Sequence, residues 1–140
     1  MVRITVKNLQ KKVFVYPKKI KDKIITVLKK EKVKGEVELT VCFINDSLIK
    51  KINKRFLKKN RPTDVLAFNI ADPKVKTGLH ADILISTDTA LRNAKIFKTT
   101  PSYELSLYSI HGVLHLLGYD DHSSKKQKVM RRKELEYVHT

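Results

Sequence analysis

The chain is 140 residues long, enough for one domain with a core of its own. Apolar residues make up 41%, and no stretch approaches the ~20 apolar residues of a membrane helix, which excludes both a disordered chain and a membrane span. A single cysteine excludes an internal disulfide, and 30 basic against 14 acidic side chains give a net charge of +16.

That charge is uneven: residues 1–60 carry 18 basic and 5 acidic side chains, and residues 61–140 carry 12 and 9. A chain this basic is expected to associate with polyanions, nucleic acid foremost. The apolar run after Arg3 is short and alternating, unlike a secretory leader. With one cysteine, a reducing, cytoplasmic setting is the expectation. Cys42, in an apolar run, reads as a small buried hydrophobe.

Residues 3–6 alternate and predict a first strand. Pro17 opens a helix over Lys18 to Lys32 with Ile20, Ile24, Val27 and Leu28 as its apolar stripe. Gly35 then punctuates, and residues 37–44 predict a strand with Val37, Leu39, Val41 and Phe43 on one face. Asn45, Asp46 and Ser47 offer caps for a helix through Phe56. Lys58, Lys59, Asn60, Arg61 and Pro62 form a basic loop, residues 64–70 a strand, and residues 71–80 a turn-rich loop containing His80. Another strand is predicted over 81–86 and a short helix over 88–97. Thr100 caps a helix that starts at Pro101, runs to about Leu117 and is closed by Gly118 in a left-handed conformation. Ser123 or Ser124 caps a last helix to Val138. Four strands and five helices, not strictly alternating, predict a single α+β domain.

The chemistry concentrates in His111-Gly-Val-Leu-His115-Leu-Leu-Gly118-Tyr-Asp120-Asp121-His122. Four residues apart on a helix, His111 and His115 share one face and can share one metal ion. The helix is apolar nearly all round, so it is expected to be central, with two buried histidines that need polar partners. A metal supplies such partners; hydrogen bonds from core carbonyls or carboxylates are the competing account. Gly118 lets the chain fold back and present a third ligand, and three protein ligands with an open position are the catalytic arrangement for zinc, here one ion per chain. A helical zinc peptidase places its general base straight after the first histidine, where this chain has Gly112. Glu104, two turns before His111 on the same face, either orients a ligand or handles protons, or is a first-turn acid favoured by the helix dipole.

These residues resemble the YbeY-type endoribonucleases, the rRNA maturation factors. HGVLHLLGYDDH is similar to their His-Gly-x-Leu-His-Leu-x-Gly-Tyr-Asp-His signature. The segment from Ile52 to Phe68 resembles their Pro-Thr-(Asp/Asn)-Val-Leu-Ser-Phe region, ADILIS resembles Gly-Asp-Ile-Val-Ile-Ser, and Glu104-Leu105 also fits. The resemblance spans residue 40 to the C-terminus. It implies a mixed four-stranded sheet with helices around the zinc-bearing one. It also implies a metal-dependent endoribonuclease that prefers single strands, matures small-subunit rRNA and acts with the ribosomal subunit in quality control.

The chain departs from the family at three points. One residue is added after His115, so the family's third-histidine slot falls on Asp121 and the next imidazole is His122. The resemblance implies His122 as the third ligand beside His111 and His115, with Asp121 the alternative. Leu57 stands where the family has an arginine tied to RNA, leaving Lys58, Lys59 or Arg61 to neutralise phosphates. Ala81 replaces a glycine before Asp82. The other class of function is a non-catalytic, zinc-stabilised factor that binds rRNA or the ribosome during assembly, to which the loss at Leu57 points. A peptidase is opposed by Gly112.

Overall fold

The computed structural model describes residues 1–57, 63–70 and 78–140. Its elements run β1 (Val2–Asn8), α1 (Pro17–Lys30), β2 (Val37–Ile44), α2 (Asp46–Leu57), β3 (Val65–Asn69), β4 (Leu79–Ser86), α3 (Thr87–Phe97), α4 (Pro101–Leu116) and α5 (Ser124–Val138). The sheet order is β1-β2-β4-β3, with β1, β2 and β4 parallel and β3 antiparallel on the far edge. The α+β architecture with a mixed four-stranded sheet is therefore the one expected.

Alternation in β2 and β4 decides the two faces of the sheet. Leu39, Val41 and Phe43 pair in register with Ala81, Ile83 and Ile85, and all are buried. They meet α1, α4 and α5 in the main core. The opposite face is thinner: Ile44, Ile49 and Leu66 form a small cluster under α2, with Cys42 half-buried beside it. α2 is capped by Asn45, whose Oδ1 accepts from the Leu48 amide at 2.9 Å. α3 begins one residue earlier than Asp88 predicts, because Ser86 is its cap and accepts from the Thr89 amide at 3.1 Å. β4 also reaches back to Leu79, since pairing with Val37 and Glu38 of β2 extends it. His80 is thus a strand residue rather than a loop residue, with its Nε2 3.7 Å from Glu38.

Candidate metal centre

α4 positions the histidine pair. Thr100 accepts from the Tyr103 amide at 3.1 Å and Pro101 fills the first helical turn, so the start is fixed by the chain itself. Residues 104–110 are all buried, as the all-round apolar pattern requires. Gly112 lets the helix lie against the sheet: a Cβ there would stand 2.9 Å from Ile83 Cγ2 and 3.4 Å from Val65 Cγ2. A peptidase-type glutamate has no room at this position. The helix ends in a Schellman motif, with the Tyr119 amide donating to Leu114 O and the Gly118 amide to His115 O, both at 3.1 Å. Gly118 has φ +105°, the left-handed conformation expected of it.

His111 is gripped from α5. Its Nδ1–H donates to Glu134 Oε2 at 2.5 Å, and the Glu134 side chain is 9% exposed. Burial opposes a charge on His111. The hydrogen bond and charge of Glu134, with Asp64 and Asp121 adding to them, prevail and hold its pKa above the ordinary imidazole value. A carboxylate on Nδ1 fixes the proton there and leaves the Nε2 lone pair of the neutral ring for a metal, the usual outer partner of a ligating histidine.

The expected burial of both histidines is corrected: His111 is half-buried and His115 exposed. The last turn of α4 stands beside β3, which is the edge of the sheet among the described residues. Two clefts meet at this point. The larger, about 650 Å³, runs from Phe97 and Thr99 past Glu104 to His111, Asp121 and Glu134. The smaller, about 270 Å³, lies between β3 and α4 and is lined by His111, His115 and Asp121.

The turn after α4 therefore brings Asp121 to both histidines' cleft, while His122, exposed like Asp121, lines neither cleft; its amide donates to Asp120 Oδ1 at 3.1 Å. Tyr119 fastens the turn through its hydroxyl, which donates to Glu31 Oε1 at 2.6 Å. Glu104 is buried in the wall of the larger cleft, where its oxygens accept from Tyr108 (3.1 Å) and Thr99 (2.8 Å) rather than from His111. Lys58, Lys59 and Arg61 lie outside the described residues. Among the described residues, no three His, Cys, Asp or Glu side chains are arranged to hold an ion. The donor chemistry nonetheless fits zinc: two imidazoles one turn apart, a carboxylate on the Nδ1 of the first, and a carboxylate from the turn in the same cleft.

Three residues of the site escaped the sequence reading. Glu134 carried a signal, since it shares the buried stripe of α5 with Met130, Tyr137 and Val138. An acid on an apolar stripe needs a buried partner. Asp64 stood inside the Pro-Thr-Asp-Val-Leu segment without a role; it lines the larger cleft and accepts from the Val65 amide at 2.8 Å. Arg131, the one cation among the described residues that lines either cleft, lies 3.6 Å from Glu134 Oε1. Nothing local in the sequence marks it.

Comparison with known proteins shows the family to which the chain belongs. The family model described as Endoribonuclease YbeY matches residues 4–140. Endoribonuclease YbeY of Syntrophus aciditrophicus (strain SB) is 34% identical over 138 residues, 95% of this chain and 86% of that protein. Endoribonuclease YbeY of Anaeromyxobacter dehalogenans (strain 2CP-C) is 38% identical over 101 residues, 72% of this chain, and the match spans 52% of that longer protein. The solution structure of TM1509 from Thermotoga maritima superposes with a TM-score of 0.65 at 32% identity, over 99% of this chain and 87% of that one. By a likeness that runs nearly its whole length, the chain belongs to the endoribonuclease YbeY family and is a nuclease.

Proposed function

We propose that the chain is a zinc-dependent endoribonuclease that cleaves single-stranded RNA during rRNA maturation, in the cytoplasm and on the ribosomal subunit. The observation that carries this reading is the Glu134 carboxylate on His111 Nδ1, on a helix that sets His115 one turn further along the same cleft. His111 and His115 would hold the ion, with the third ligand from the turn. Asp121 is favoured there by its place in the cleft, and His122 is the alternative. Bound zinc would supply Lewis acidity toward a phosphoryl oxygen and lower the pKa of a coordinated water towards ~7.

The chain's own groups do the rest. Glu134 keeps the His111 ring in one tautomer and orientation. Arg131 puts a guanidinium at the rim of the larger cleft, a group suited to a phosphate oxygen. Glu104, Tyr108 and Asn93 form a chain in the same wall, Asn93 Nδ2 donating to Tyr108 Oη at 2.7 Å and Tyr108 donating to Glu104. The chain fixes the wall against which the RNA lies.

The test is cleavage of a long single-stranded RNA by wild type and His115→Ala, purified side by side, with and without chelator. Cleavage by wild type alone, lost on chelation and restored by zinc, is expected. Equal cleavage by both proteins defeats the reading.

A further inference from the structure

The clefts around His111 are acidic. Among the described residues, Asp64, Glu104, Asp121 and Glu134 line them against one cation, Arg131, which already faces Glu134. Most of the chain's excess positive charge belongs to residues 1–60, and the described part of that region carries its lysines on other elements. One part of that region has the form of a binding surface.

Between β1 and α1, Val13 and Val15 are buried and anchor the connection, which turns Phe14 and Tyr16 outward. Phe14 is 73% exposed and Tyr16 52%, with ring centroids 4.7 Å apart. The connection is pinned: Gln10 Nε2 donates to Val13 O at 2.8 Å, and Gln10 Oε1 accepts from the amides of Lys12 (3.0 Å) and Val13 (2.9 Å). The two rings are therefore presented on a fixed backbone, so a ligand need not order them. Tyr16 also borders a cleft of about 500 Å³ that is lined by Lys18, Lys19 and Lys23 against Asp22. Lys18 takes Asp22 at 3.0 Å, Lys19 reaches the Ser102 hydroxyl at 3.1 Å, and Lys23 reaches carbonyl oxygens of Val138 and Thr140. Burial and the neighbouring Lys19 charge both lower the Lys23 pKa.

We propose that Phe14 and Tyr16, with Lys18, Lys19 and Lys23, form a stacking platform for single-stranded RNA, an exosite separate from the metal centre. The inference rests on the proposed single-stranded RNA substrate. Exposed rings beside lysines suit it because every base offers a π-face to stack while the phosphates meet the cations, without regard to sequence. The platform adjoins the start of α4, where Lys19 meets Ser102. His115 lies thirteen residues further on, roughly 20 Å along the helix. A short oligonucleotide occupies one site, whereas a long strand spans both and gains the effective concentration of a tethered ligand.

The experiment is fluorescence anisotropy with a short and a long labelled single-stranded RNA, using wild type, Phe14→Ala/Tyr16→Ala, Phe14→Trp/Tyr16→Trp and Lys18→Gln/Lys19→Gln. Thermal melts check that each protein is folded. The alanine pair is expected to weaken the long RNA about tenfold or more, the tryptophan pair to restore binding, and the lysine pair to flatten the salt dependence. Cleavage of the short RNA at saturation stays unchanged. Equal long-RNA affinity in wild type and the alanine pair overturns the platform. Binding lost in the alanine pair, with no metal-dependent cleavage by any form, keeps the platform and defeats the nuclease mechanism. Metal-dependent cleavage with affinity untouched defeats the platform alone.

Discussion

The turn after α4 and the connection before α1 are both short, irregular segments beside a helix end, yet they are built for opposite jobs. The first gathers Asp121 with two imidazoles and the carboxylates of Glu134 and Asp64. The second gathers two bare rings and lysines. Carboxylates and neutral imidazoles suit a cation, and that same charge repels a phosphate chain until the cation is bound. A protein with such a centre gains by holding its polyanion elsewhere. If the proposed platform and metal centre are right, the +16 charge serves substrate capture while the chemistry resides in the less basic half of the chain.

The sharpest way to break this comparison is His115→Ala. Cleavage is expected to fall about 100–1,000-fold, the scale of losing preorganised charge stabilisation, while affinity for long single-stranded RNA changes less than about threefold in anisotropy. If both fall together, the two regions are not separable. Asp121→Asn set against His122→Ala sharpens the acidic side. The first is expected to weaken zinc about 10–100-fold in a competition titration with a chromogenic chelator, the second by less than about threefold. The reverse order would assign the ligand to His122. Glu134→Gln keeps a hydrogen-bond partner but removes the charge on His111. A loss of about tenfold in zinc affinity is expected, read by the same titration.

The smallest effect concerns the tie between the two regions. Glu31, at the C-terminal end of α1, accepts from Tyr119, Tyr137 and Lys133, and so binds the turn after α4 to the N-terminal half. Burial works against its charge, but these three partners outweigh it and hold the carboxyl below its usual range. A depressed carboxyl stabilises the fold above the unfolded value near ~4.3, and that stability is lost as pH falls through the folded value. Glu31→Gln should therefore cost about 2 kcal/mol at neutral pH and flatten the acid limb of the stability curve, as followed by urea denaturation from neutral to acid pH. An unchanged acid limb would remove Glu31 from the account.

Much of the fold was legible because it depends on local rules. Thr100-Pro101 at the start of α4 and Gly118 at its end are cap chemistry, which a sequence displays directly. Strand alternation likewise disclosed which faces of β2 are buried. What was not legible depends on pairing between distant segments. His80 joins β4 because β2 lies alongside it. His115 is exposed in the cleft beside β3, a matter of how α4 packs on the sheet rather than of its own pattern. At the site, the helical spacing of His111 and His115 was readable, but Glu134 lies 23 residues away from His111 and reaches it only when α5 packs on α4. The added residue in the turn was visible, yet which side chain it turns toward the histidines is set by the Schellman closure and the Tyr119 anchor.

The most direct test of the central claim is the zinc content of the purified chain, measured by elemental analysis beside His111→Ala/His115→Ala at the same free zinc. The account predicts one ion per wild-type chain and none held by the variant, with the fold of both confirmed by circular dichroism. Equal zinc in the two proteins would contradict it and remove the metal from this face of α4.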